Sequence, residues 1–315
     1  MHGARWPSGS RRWPADGGVR FHQGVAFLPT DDVVDLAMAS DDLGYAGLMI
    51  SDHIFNAREL KSRYTYSTEP DGAPFWSPET EWPDPMCLVS GLATVTSNLV
   101  FTTGVYVAPA RDLLTVAKSV GTAAVLSSNR VRLGVGAGWC EEEFVATGQE
   151  FSNRGKRLDE MIVALRELWK PGWVEHHGTF YDVPACQILP APSAPVPIYG
   201  GGGSAPALRR AATLCDGWIT HGAAPEEIAW QQLASIREAL EQAGRGMDGF
   251  DIYLAVSAPP DVDLYKRFAD AGVSDMLCAP WMSVRLAADA PVEAWRTARA
   301  DACAQFSDEV IAKVG

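Results

Sequence analysis

From Val19 onward the chain repeats one unit, a short apolar run suited to a buried strand followed by a longer segment with helical spacing of its apolar residues. Strands are expected at Val19–Phe27, Tyr45–Ile50, Leu99–Val107, Val131–Val135, Pro197–Tyr199, Gly217–Thr220, Phe250–Ser257 and Val273–Cys278. The first helix opens at Thr30, Asp31 and Asp32 and reaches Leu43; the second opens at Asp84-Pro85 and runs through Val95. Others follow at Arg111–Leu126, Arg154–Trp169, Ala205–Leu214 and Pro225–Ala243, then one ending at Ala271 and a last at Val292–Ile311. Parallel neighbours need a crossover, so strand–helix alternation commits the chain to a parallel sheet. Eight such units in 315 residues suit an α/β fold of the closed (β/α)8 TIM-barrel type. A doubly wound open sheet is the competing architecture, and it would show fewer strands or a second domain. A hydrophobic content of 47% supports one core, so residues 19–315 are read as a single domain. In such a barrel, chemistry sits at the carboxyl ends of the strands.

Two stretches break the repeat. A polar excursion rich in proline and aromatic residues runs from Ile54 to Trp82, the length of a lid or binding loop. A non-helical insert, Val174–Leu189, carries Gly178-Thr179-Phe180-Tyr181 as a hairpin turn. Residues 1–18 are rich in Arg, Gly, Pro and Trp, lack an apolar segment, and are read as a disordered tail and not as a signal peptide.

A formal charge of −13 argues against nucleic acid and anionic membranes as partners. No apolar run approaches the ~20 residues that span a bilayer. The six cysteines are scattered without Cys-x-x-Cys and read as small core residues in a reducing compartment, which places the protein in the cytoplasm. No metal site is expected from the histidines; His176 and His177 are adjacent and in a strand face opposite ways.

Four unusual loop starts converge at the expected carboxyl rim. Asp52-His53 ends an apolar strand, and histidine suits proton transfer near neutrality. Thr102-Thr103-Gly104-Val105-Tyr106-Val107-Ala108-Pro109 places a glycine where packing alone gains nothing, as at a bulge. Gly134, Gly136 and Gly138 thin the end of the fourth strand before Trp139 and the acidic run Glu141, Glu142 and Glu143, a pattern read as a ligand floor. Gly200, Gly201, Gly202, Gly203 and Ser204 precede a helix with Pro206 in its first turn, a phosphate-cradle signature. Trp139 holds the place of the last glycine of the dinucleotide fingerprint, and no Gly-Lys-Ser/Thr loop, Gly-x-Ser-x-Gly or His-Glu-x-x-His occurs. The pattern fits a small-molecule enzyme with a phosphorylated cofactor.

Ser51-Asp52-His53, Thr103-Gly104-Val105, Asn129 to Trp139, the Arg154–Trp169 helix, His177 to Tyr181, Pro197 to Gly201 and Asp216-Gly217-Trp218 together resemble the bacterial luciferase-like monooxygenase superfamily, in its branch dependent on the deazaflavin coenzyme F420. The resemblance runs in order from Val19 to Cys278. It implies a TIM barrel of the luciferase-like type with an insertion region, a non-prolyl cis peptide at Gly104–Val105, and a cofactor across the mouth. By it, Gly104, Val105, Val107, Ala137, Gly138, Trp139 and Glu142 would contact the cofactor, with Gly200 to Ser204 at its phosphate. His53 would be the proton partner and Asp52 would orient it. Sugar-phosphate-oxidising members carry a catalytic glutamate where this chain has Trp139, so glucose 6-phosphate is a poor substrate and a larger apolar one is expected, walled by Trp139, Tyr106 and Trp76 or Trp82. Arg58, Lys61 and Arg63 would meet the cofactor's acidic tail. The alternative cofactor is FMN, in a two-component monooxygenase fed by a flavin reductase; a catalytically silent flavin-binding relative is a further alternative. The resemblance also implies a homodimer through the second and third helices.

Overall fold

A computed structural model describes residues 18–67, 69–287 and 289–314, so most of the expected tail lies outside the described residues. Eight parallel strands close a barrel: β1 (Arg20–Gly24), β2 (Gly47–Ile50), β3 (Val100–Thr103), β4 (Val131–Val135), β7 (Ile198–Gly201), β8 (Gly217–Ile219), β9 (Asp251–Ala255) and β10 (Asp275–Cys278). β1 pairs with both β2 and β10, which closes the ring without a free edge. β2 and β8 are buried at every residue, as expected for strands covered on both faces.

The helices follow their strands: α1 (Thr30–Asp42), α2 (Pro85–Leu92), α3 (Leu113–Leu126), α4 (Glu141–Ala146), α5 (Arg154–Leu168), α6 (Ala205–Leu214), α7 (Glu226–Gln242), α8 (Val262–Asp270), α9 (Val292–Phe306) and α10 (Ala312–Val314). Local chemistry sets several starts. Asp84 caps α2 by accepting the Met86 and Cys87 amides at 3.0 and 2.9 Å, with Pro85 in the first turn, where no amide is needed. Asp112 caps α3 through the Thr115 amide at 3.0 Å, two residues later than the expected start. Among the described residues no helix is long and apolar enough to cross a membrane.

The insert is the expected hairpin, β5 (Val174–His177) antiparallel to β6 (Asp182–Cys186). Its turn is held from outside by Glu160 of α5, whose carboxylate accepts the amides of Thr179, Phe180 and Tyr181 at 2.8–3.1 Å. His176 turns inward to Glu160 and His177 outward to Asp182, as strand alternation requires. The scattered cysteines are not uniformly core residues: Cys140, Cys215 and Cys303 are buried, whereas Cys87 is exposed.

Several expectations needed correction. The third strand stops at Thr103; the Gly104–Val105 peptide that follows is cis, and the chain forms a further bridge to β4 at Tyr106–Val135. The last helix gives way after Phe306 to a wide π turn, Ser307–Ile311. Gly200 and Gly201 belong to β7 and not to a loop.

Most of the strand glycines make room for the chain itself. A Cβ on Gly134 would run into the Thr103 carbonyl and the Ile219 side chain, while Gly136 and Gly201 both leave space for Val105. Gly134→Ala should therefore lower stability by about 3 kcal/mol or more, since backbone cannot step aside. Gly246→Ala, where nothing lies within 4 Å, should stay within about 0.5 kcal/mol. Urea midpoints of the two variants test the contrast.

Candidate functional site

The carboxyl ends of β2, β3, β4 and β7 do converge. Val105, thrust inward by the bulge, packs between Gly136 of the β4 end and Gly201 of β7, and caps the centre of the barrel. The three-glycine pattern is therefore a seat for this bulge. Gly138 has φ +82°, and a Cβ there would lie 2.6 Å from Val107 and 2.8 Å from Phe144. Val107 accordingly sits beneath Gly138, buried with Ala110 and Phe144, and not on the ligand side expected of it. Ala137 and Trp139 remain half-buried on the rim.

Asp52 does not orient His53. Its carboxylate grips Arg111 with two bonds, Oδ2 to Nη1 at 2.7 Å and Oδ1 to Nη2 at 2.8 Å, and accepts the Val107 amide at 2.8 Å. Burial pushes its carboxyl up, against the pull of Arg111 and of the Val107 amide. The orienting carboxylate is Glu143 instead. It is 1% exposed, meets His53 Nδ1 at 3.1 Å and accepts the Ile54 amide at 2.7 Å, both through Oε1. Glu143 reaches inward because Glu141–Ala146 is a helix that the sequence reading missed. The signal was present in three acids opening a short apolar segment.

The excursion closes over His53. Ring centroids of Trp76, Trp82 and Trp139 lie 5.4, 5.0 and 5.7 Å from the imidazole. Tyr64 joins Trp76 and Trp139 at 4.8 and 5.1 Å, and Phe27 backs Trp82 at 5.5 Å. Tyr106, expected in this wall, is buried below it under the Arg111 guanidinium, 4.2 Å from its ring centre. Trp82 Nε1 is buried without a hydrogen-bond partner among the described residues.

At the β7 end, Gly202 (φ +106°) and Gly203 lead into α6, and the Ser204 side chain makes no capping bond. Gly200 faces Ala211 of α6, a packing role. Beside Gly203 stands His221, a residue the sequence reading passed over, stacked on Tyr66 with centroids 4.3 Å apart. Burial lowers the His221 imidazole; it raises the Tyr66 phenol, against the pull of the nearby Gly203 amide. Contacts thus run from Val105 through Gly201, Gly203, His221, Tyr66, Tyr64 and Trp139 to His53, around one mouth.

Glu142 does not face that mouth either; its carboxylate accepts the Lys61 and Ser62 amides at 2.6 and 3.1 Å and ties the excursion down. Arg63, expected at the cofactor tail, bonds the Pro70 and Asp71 carbonyls of its own loop, while Arg58 and Lys61 have exposed side chains. Burial raises the Glu142 carboxyl, but the Ser62 side chain and the loop amides outweigh this and hold it at about 2. The tether is intact above the usual 4.5 and is lost only as pH falls towards 2. Glu142→Ala should loosen the loop at neutral pH, and trypsin should cut at Arg58, Lys61 or Arg63 about 10-fold faster than in the parent chain.

The family model for luciferase-like monooxygenases matches residues 13–263. An uncharacterized protein of Mycobacterium tuberculosis is 36% identical over 259 residues, covering 82% of this chain and 88% of that one. The F420-dependent glucose-6-phosphate dehydrogenase of Nakamurella multipartita is 28% identical over 280 residues, covering 83% and 76%. Among solved structures, the coenzyme F420-dependent tetrahydromethanopterin reductase of Methanopyrus kandleri aligns with TM-score 0.68 at 15% identity, covering 95% of this chain and 100% of that one. The oxygenating constituent of 3,6-diketocamphane monooxygenase from Pseudomonas putida, in complex with FMN, aligns with TM-score 0.56 at 16% identity, covering 75% and 66%.

Proposed function

The chain belongs to the luciferase-like monooxygenase family, and from that premise we propose that it transfers a hydride between coenzyme F420 and an organic substrate at the barrel mouth. The observation that carries this reading is the pairing of His53 with the buried Glu143. If His53 donates its Nδ1 proton to Glu143, Nε2 is left to exchange a proton inside an aromatic shell. The relatives that are F420-dependent dehydrogenases support the deazaflavin.

The residues present fit such a cofactor. Val105 offers an apolar floor, Gly203 with the amino terminus of α6 offers backbone N–H groups to a phosphate, and the unpaired Trp82 Nε1 offers a donor beside His53. When bound, the deazaflavin supplies or accepts the hydride. His53 moves the proton, Glu143 keeps its ring aligned, and Trp76, Trp82 and Trp139 exclude water and shape the pocket for an apolar substrate. Trp139 cannot act as the acid that a sugar-phosphate oxidation employs, so the reading takes the cofactor of those relatives without their substrate. Tyr66 lies against Gly203, so the phosphate would displace its phenol.

A second reading is a two-component FMN monooxygenase supplied by a flavin reductase. The same water-excluding shell favours it, because oxygen activation also needs a dry site. A homodimer belongs to the proposal as well: Leu114, Val125 and Leu126 of α3 are exposed large apolar side chains.

Fluorescence titration with F420 and with FMN separates the readings; saturable binding of FMN alone rejects the first. Under the F420 reading, His53→Ala should lower kcat by roughly 100-fold to 10,000-fold, while the Kd for F420 stays within about threefold.

A further inference from the structure

At the opposite end of the barrel from the mouth lies a cavity of about 120 Å³, lined by Arg20, His22, Arg132, Tyr253, Asp251 and Asp275 among others. These residues stand at the amino-terminal ends of β1, β4, β9 and β10. Their hydrogen bonds are unevenly distributed. All four carboxylate oxygens are taken. Asp275 Oδ1 meets His22 Nε2 at 2.7 Å, and Oδ2 accepts from Arg20 Nη2 at 2.5 Å and from the Ser274 hydroxyl at 2.6 Å. Asp251 Oδ1 accepts from Arg20 Nη2 at 3.1 Å and Oδ2 from the Tyr199 hydroxyl at 2.6 Å.

The donors are left over. Arg20 uses only Nη2, and Arg132 uses only Nη1, which donates to the Asn129 and Val131 carbonyls at 3.2 and 3.0 Å. The remaining nitrogens of both guanidinium groups have no protein acceptor among the described residues. His22, 2% exposed, keeps Nδ1 without a partner; with Nε2 donating to Asp275, that nitrogen accepts in the neutral ring and donates only in the charged one. The two arginines and two aspartates cancel in formal charge, and His22 adds a positive charge in the form where both ring nitrogens donate, so the cavity does not call for a cation. Among the described residues there is no group of three metal ligands either.

With spare guanidinium N–H groups and both carboxylates already engaged, the pocket selects for its guest. Water must place two donors beside carboxylates that are already engaged, whereas an oxyanion brings acceptors only. Arginine's planar fork is matched to that guest. We propose that the foot of this barrel binds a small oxyanion, a carboxylate or inorganic oxyanion of a few heavy atoms, between Arg20, Arg132 and His22. The site is separate from the mouth and does not depend on which cofactor the mouth takes.

The test follows the His22 ring in the full chain labelled with ¹⁵N-histidine, its signals assigned by their absence from His22→Gln. Sodium phosphate, sodium acetate and sodium chloride are titrated separately. Saturable movement of the His22 signals with phosphate or with acetate supports the site, and the effective anion tells an inorganic guest from a carboxylate. Arg132→Gln should weaken that binding at least 10-fold; should it fail to fold, Arg132→Lys, which keeps the charge but removes the fork, should weaken it too. Unsaturating drift equal to that with chloride, or equal titrations in parent and Arg132 variants, would overturn the proposal and leave a water-filled foot.

Discussion

The mouth of this barrel depends on one buried carboxylate. Asp52 closes β2, reaches across to the β3 bulge to accept the Val107 amide, and grips Arg111 ahead of α3. Those bonds fix the segment after Val105, and with it the side chain that caps the barrel. Removing one partner of a buried ion pair commonly costs about 3–5 kcal/mol, so the pair acts as a rivet between two consecutive strand–helix units. A residue expected to do chemistry proves to be part of the frame that chemistry stands on.

That frame explains which parts of the fold were legible in the sequence. β4 and α6 begin and end where periodicity and glycine placement put them, at Val131–Val135 and Ala205–Leu214. Both are local features, set by apolar spacing and by a proline in the first turn. The third strand was drawn too long because Tyr106 and Val107 are as apolar as a strand demands, although the ladder ends at Thr103 and Tyr106 makes only an isolated bridge to β4. The partners of the site were harder still. Glu143 lies 90 residues from His53, and Arg111 lies 59 from Asp52, so no local pattern could have paired them. Nearness in sequence joined Asp52 to His53, whereas the barrel gives each a different partner.

The glycines carry the same lesson in reverse. Glycine in a strand signals close approach, which is correct at Gly134, Gly136 and Gly201, yet the approaching group is the protein's own backbone or Val105. Beyond the end of β7 the Gly202 amide donates to the Ile219 carbonyl, which leaves Gly203 to turn its amide towards a phosphate. The sequence identifies where space is needed; the identity of what fills it comes from the neighbouring strand.

Scaffold and selectivity are joined at Trp139. It stands on the rim after β4, whose position the barrel sets, yet its ring meets Tyr64 and Trp76 of the excursion as well as His53. The excursion is pinned nearby by Glu142 and Glu143, two consecutive residues of one short helix, the first holding Lys61 and Ser62 and the second holding Ile54 and His53. A single turn of helix therefore sets both the orientation of the imidazole and the height of the aromatic roof above it. A glutamate at position 139 would put a charge within this roof, where desolvation opposes it. Tryptophan there instead completes a continuous apolar shell. An indole at this point puts no carboxyl beside His53 and gives the mouth an apolar wall there.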